Sequence, residues 1–120
     1  MKGMMRMSSL KFEPGDIFIS EIFFSDFSEA KHRPVIVISK RNDSLIDTIA
    51  VKITKTQRSS KYCVPIEKND IIDGKLKMKS FAEVNFIATI QKRDIKQKVG
   101  RLTPEKLKII KKKLKDLFDL

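Results

Sequence analysis

The sequence predicts a mainly β fold with α: a small, strongly bent β-barrel carrying a C-terminal amphipathic helix. Three observations predict it. Short runs of β-branched and aromatic residues recur between turns bearing Gly, Pro, Asn and Asp. After Thr103 the hydrophobic period changes from that of a strand to that of a helix. The chain has 120 residues, 41% of them hydrophobic, which suits one domain with enough apolar surface for a packed core.

Residues 1–11 read as a loose leader and about 13–92 as the barrel. Pro14-Gly15-Asp16 is turn chemistry, and the run from Ile17 to Phe24 that follows is rich in β-formers. Ser25 to His32 is polar and reads as a loop. Pro34 to Ser39 is β-branched and apolar on both faces, the pattern of a buried strand. Arg41 to Ser44 is a further turn. Thr48 to Thr54 alternates: Ile49, Val51 and Ile53 face one way, and Thr48, Ala50, Lys52 and Thr54 the other, as a polar face that Thr54 closes. Tyr62 to Ile66 and Phe81 to Ile87 are strands on either side of a loop, Asn69 to Lys79, which contains Asp73-Gly74. The helix is expected over about residues 103–118. Thr103 is its N-cap, Pro104 its first residue, and Leu107, Ile110, Leu114 and Leu117 its core-facing stripe.

Charge asks for a partner. The 26 Lys and Arg against 15 Asp and Glu leave a formal +11, which attracts nucleic acid, an acidic protein or an anionic surface. Residues 95–120 hold nine of the basic and three of the acidic residues, mostly assigned to the helix. Lys52, Lys55, Arg58 and Lys61 form a second basic stretch with no acid in it. Lysines that merely solvate an exposed face would explain the same composition.

The rest of the composition excludes by elimination. One cysteine allows neither a disulfide framework nor a multi-Cys zinc site, and it fits a reducing cytoplasm, the expected location. Cys63 itself falls in an apolar pattern and is expected to be a buried, structural thiol. No stretch has the length of a membrane span, and the N-terminus lacks the apolar core of a secretory signal. Gly-rich phosphate loops, HExxH, GxSxG and acid clusters at metal spacing are all missing, so neither metal nor cofactor is expected. A single histidine excludes a two-histidine acid–base mechanism within one subunit. What remains is a basic surface with isolated Arg, Thr, Ser and carboxylate groups, an inventory suited to holding a phosphate.

One pair follows from the strand pattern. Arg33 precedes Pro34, so its backbone is driven toward the extended region, where the polar loop would enter the buried strand. Thr54 ends the alternating strand at the start of the acid-free basic segment. If the two strands pair, Arg33 and Thr54 meet at one rim of the barrel. A guanidinium fork and a hydroxyl then offer three donors to a phosphate. A solvated Arg and a strand-end Thr would give the same pattern with no chemistry.

Pro14-Gly15-Asp16-Ile17-Phe18, Arg33-Pro34-Val35-Ile36-Val37-Ile38-Ser39, Ile49-Ala50-Val51-Lys52-Ile53-Thr54 and Val99-Gly100-Arg101-Leu102-Thr103-Pro104-Glu105, in this order, resemble the MazF/PemK family of toxin endoribonucleases over about residues 13–118. The resemblance implies an SH3-like β-barrel, usually a homodimer whose interface forms an RNA groove. It implies the toxin of a type II toxin-antitoxin system, cutting single-stranded RNA such as mRNA at a short preferred sequence. Metal independence, attack by the substrate's 2′-hydroxyl and an acidic antitoxin protein as inhibitor are implied with it.

Arg33 and Thr54 match the family's catalytic Arg and Thr, and Ser28-Glu29 resembles a pair that contacts RNA in some members. The expected RNA-binding set is completed by His32 beside the Arg, by Lys52, Lys55 and Arg58, and by Glu83 and Asn85. Those last two stand where some members carry an Arg and an Asp, a departure that points to altered sequence preference. A non-catalytic RNA- or ribosome-binding SH3-like barrel is the alternative, sharing the charge and the fold while needing no Arg33–Thr54 pair. A relative directed at tRNA, or one that has lost its activity, is also compatible with these residues.

Overall fold

The computed structural model describes residues 12–23, 30–40 and 47–120. The expected leader, Ser28, Glu29 and the 41–44 turn lie outside the described residues. The described residues form seven strands: β1 (Asp16–Phe23), β2 (Ala30–Val37), β3 (Asp47–Thr54), β4 (Cys63–Ile66), β5 (Ile71–Ile72), β6 (Ser80–Gln91) and β7 (Ile95–Leu102). A single helix, α1 (Pro104–Phe118), follows them. All the pairings are antiparallel, in the order β4-β6-β3-β2-β1-β7-β5, and the sheet curls into a nearly closed barrel. Among the described residues no helix is long and apolar enough to cross a membrane.

The Pro14-Gly15 turn anchors three elements at once. Gly15 sits at φ +98, a conformation that disfavours any Cβ. From there its N–H donates to the Val37 carbonyl at 2.8 Å, and its own carbonyl accepts from Leu102 N–H at 2.8 Å. The turn therefore ties β1 to the end of β2 and to the end of β7, just ahead of α1. Asp16 closes it by accepting from Glu13 N–H at 3.0 Å, and its buried carboxylate pairs with Lys98 at 3.4 Å.

The sheet buries apolar groups on both faces. Ile17, Ile36, Val51, Ile53, Val64 and Val84 make one cluster, onto which α1 docks through Ile110, with Leu107 and Leu114 beside it. Phe12, Phe18, Val35, Val37, Ala50 and Ile90 make the other. Because β3 lies mid-sheet between these clusters, the expected facing of its residues needs correction. Thr48 and Ala50, on the face read as polar, are buried, whereas Ile49 on the other face is 39% exposed. Helix α1 begins as the sequence indicates: the Thr103 hydroxyl accepts from Lys106 N–H at 3.2 Å.

Two further corrections concern strands. Residues 30–32, expected in a loop, already belong to β2, paired with Phe23, Ile22 and Glu21 of β1. Arg33 is thus three residues inside a strand rather than at its entrance. The sheet also continues past residue 92 through β7, a strand the sequence pattern hides. Register shifts between Ile17 and Phe18, and again between Ile19 and Ser20, put β7 out of simple alternation, so its period of two is lost. Cys63 is half-buried rather than fully buried, and its Sγ accepts from Arg58 N–H at 3.3 Å.

Candidate functional site

Strands β2 and β3 pair only over Val35↔Lys52, Ile36↔Val51 and Val37↔Ala50. Both strands continue beyond that ladder, but with other partners: β2 follows β1 as far as Phe23↔Ala30, and β3 follows β6 as far as Thr54↔Phe81. The β2–β3 ladder therefore ends beyond Val35 and Lys52. Pro34 supplies a reason. The Val37 carbonyl bonds to Gly15 at the head of β1, and Ile38 N–H bonds to Ile49 on β3. Alternation along the strand then turns residue 34 toward β3, where proline has no N–H to donate. The ladder stops at the residue that cannot continue it.

At this split the structure opens a cavity of about 630 Å³. Arg33 and Pro34 line it from β2, and Ile53, Thr54 and Lys55 from the end of β3. Carrying the β2–β3 register two places outward sets Arg33 across from Thr54, as the strand pattern suggested. One Arg33 Nη1 donates to the His32 carbonyl at 2.9 Å, which folds the guanidinium along its own strand. The Thr54 hydroxyl accepts from Thr56 N–H at 3.1 Å and keeps its own proton to donate.

The far wall comes from residues not singled out in the sequence. Gly74 through Met78 lines the cavity, together with Ser80 and, on β7, Gln97, Lys98 and Val99. The placing of this segment depends on Gly74, since a Cβ there would overlap the Val99 carbonyl. Its signal was available in the alternation Lys75-Leu76-Lys77-Met78-Lys79. Lys55, Lys75, Lys77 and Lys98 make the lining strongly cationic, and Lys98 pairs with Asp16.

The other expected residues are placed apart. The Lys52 ammonium lies 3.0 Å from a Glu83 carboxylate oxygen and 4.5 Å from the centre of the Phe86 ring. The Lys52 and Glu83 side chains are only 11% and 15% exposed, so the stretch that looked free of acid receives one across the β3–β6 ladder. Neither of them lines the cavity, nor does the exposed Asn85, which falls where β6 runs four residues for one of β3. His32 pairs with Glu21 at 3.5 Å on the β1–β2 ladder and is 57% exposed. Arg58 is exposed on the segment between β3 and β4 and is not part of the lining. Among the described residues no three His, Cys, Asp or Glu stand together as a metal site.

Fold and site together define a small antiparallel barrel whose sheet splits beside an arginine and a threonine to open a cationic cavity. Residues 13–118 match the family described as PemK-like, MazF-like toxin of type II toxin-antitoxin system. The chain belongs to that family. Its fold is shared with the solved structure of the Mycobacterium tuberculosis toxin MazF-mt6 at TM-score 0.71 and 22% identity, over 88% of this chain and 97% of that one. A mycobacterial endoribonuclease solved with its cognate antitoxin aligns at TM-score 0.72 and 19% identity, over 90% and 95% of the two chains. The MazE–MazF structure from Deinococcus radiodurans aligns at TM-score 0.71 and 13% identity, over 90% and 96%. No curated protein matches the chain in sequence.

Proposed function

We propose that this protein is the toxin of a type II toxin-antitoxin pair, and that it is a metal-independent endoribonuclease cutting single-stranded RNA at a short preferred sequence. The observation that carries the reading is the placement of Arg33 and Thr54 on opposite sides of the β2–β3 split, in a chain of this family. It acts in the cytoplasm on RNA such as mRNA, as a homodimer, and is restrained by an acidic antitoxin whose carboxylates compete for the cationic cavity.

The chemistry asks little of the protein beyond positioning and charge. The 2′-oxygen of the substrate attacks the adjacent phosphorus and loses its proton. The bond from phosphorus to the 5′-oxygen breaks, and that oxygen takes up a proton. The products are a 2′,3′-cyclic phosphate and a 5′-hydroxyl. Arg33 stabilises the negative charge that grows on the phosphoryl oxygens and assists the departing oxygen, while the Thr54 hydroxyl orients the phosphate. Lysines at the rim hold the flanking phosphates.

The test is purified protein with single-stranded RNA in excess EDTA. Cleavage should persist, end in a cyclic phosphate and stop when the nucleotide at the cut carries a 2′-O-methyl group. A strict Mg²⁺ requirement, or efficient cutting of all-DNA substrate, would refute the mechanism. Retention of RNA without cleavage would replace the enzyme with a binding barrel.

A further inference from the structure

The cavity is larger and more apolar than a phosphate requires. Besides Arg33 and Thr54, the volume of about 630 Å³ is lined by Pro34, by Leu76 and Met78, and by Gln97 on β7. Met78 is 60% exposed, an apolar side chain kept at the surface on a segment that alternates with lysines. That alternation presents two chemistries from one short stretch, cations from Lys75 and Lys77 and apolar surface from Leu76 and Met78. A phosphodiester strand with bases attached presents the complementary pair. Gln97, exposed on β7, adds a side-chain amide with one acceptor and two donors, the groups that meet the edge of a base.

We propose that the part of the cavity formed by Leu76, Met78 and Gln97 is a base-specificity subsite, taking one unstacked nucleobase of the RNA next to the phosphate held by Arg33 and Thr54. The proposal rests on the ribonuclease reading given above. The apolar walls take the base's flat face in place of an aromatic platform, and the Gln97 amide reads its edge. Lys75 and Lys77 hold the phosphates that flank it. Selection at one position of the cut sequence therefore comes from β7 and the 74–78 segment, not from Glu83 or Asn85, which lie outside the cavity.

Two measurements test this, with Gln97→Ala and Met78→Ala, both at exposed positions that leave the core intact. The first digests a random-sequence RNA with the full chain and sequences the cut ends. Gln97→Ala should lower the preference at one position beside the cut by about tenfold and leave the other positions as they were. The second needs no cleavage: affinity for 2′-O-methyl hexanucleotides of A, C or U against an abasic hexamer of the same charge. Wild type should bind at least one base-bearing hexamer about tenfold tighter than the abasic one, and the double variant should lose most of that difference. If wild type cuts RNA while the variant keeps every preference, the subsite is wrong and the ribonuclease stands. If wild type shows the base-dependent binding but never cuts, the subsite stands and the ribonuclease reading falls. Equal affinity for base-bearing and abasic hexamers overturns the subsite whether or not RNA is cut.

Discussion

Thr54 carries one hydroxyl into the split, and its proton is the group available to a phosphate, because the oxygen already accepts from Thr56 N–H. Thr54→Ala should therefore lower the cleavage rate by about 10²–10³, the usual effect of losing one preorganised donor. Thr54→Ser should retain most of the rate, since the hydroxyl survives. Circular dichroism and thermal melting separate either result from loss of fold. Lys52 and Glu83 behave differently. Their charges are largely buried, so Glu83→Ala takes a close carboxylate from Lys52 and should lower stability in denaturant unfolding. Replacing both by Met and Leu should restore most of that stability. If the single and the double variant are equally unstable, the pair is not what holds β3 to β6 at that point.

At the level of elements, the split between β2 and β3 is the decisive feature, and it traces to one imino acid. Pro34→Val returns the missing N–H toward β3, so the ladder can run on past Val35↔Lys52. The new amide should become protected from hydrogen exchange. Activity should fall by at least about tenfold as the split narrows, given how steeply rate depends on placement. An unprotected amide and full activity would mean that something other than Pro34 parts the strands.

The same scale shows what could be read from sequence. The β-branched run of β2, the strand ending at Thr54 and the Thr103-Pro104 helix start were legible because local chemistry alone decides them. So was the placing of Arg33 and Thr54 at one cavity, which needs only that β2 and β3 be neighbours. β7 was not, because bulges in its pairing with β1 break its period. The alternation at 75–79 was in view, but its place as a wall of the cavity was not, since that depends on Gly74 meeting a carbonyl of β7. The ion pair that answers Lys52 comes from a strand about 30 residues on, which no local pattern reveals.

For the whole molecule, the formal charge of +11 governs how partners arrive. RNA affinity should fall as salt rises, with a log–log slope near −0.7 for each phosphate contacted. Charge reversal at Lys55, on the cavity lining, should weaken both RNA and an acidic antitoxin. Reversal at Lys115, on the last turn of α1, should affect them far less. Equal losses from the two reversals would show that net charge, not the cavity, attracts these partners. Expression in bacteria should arrest growth and degrade RNA, and co-expression of the antitoxin should relieve both.

If Arg33 supports RNA cleavage from its place across the β2–β3 split, single-turnover cleavage by wild type and Arg33→Ala will differ sharply. The two proteins are compared on one single-stranded RNA in EDTA, each confirmed to be folded. Wild type should cut at discrete sites, and Arg33→Ala should be slower by about 10²-fold or more with its thermal stability unchanged. Arg33→Lys should recover little of the rate, because an ammonium cannot reproduce the planar fork. Cleavage by folded Arg33→Ala at the wild-type rate would contradict the account.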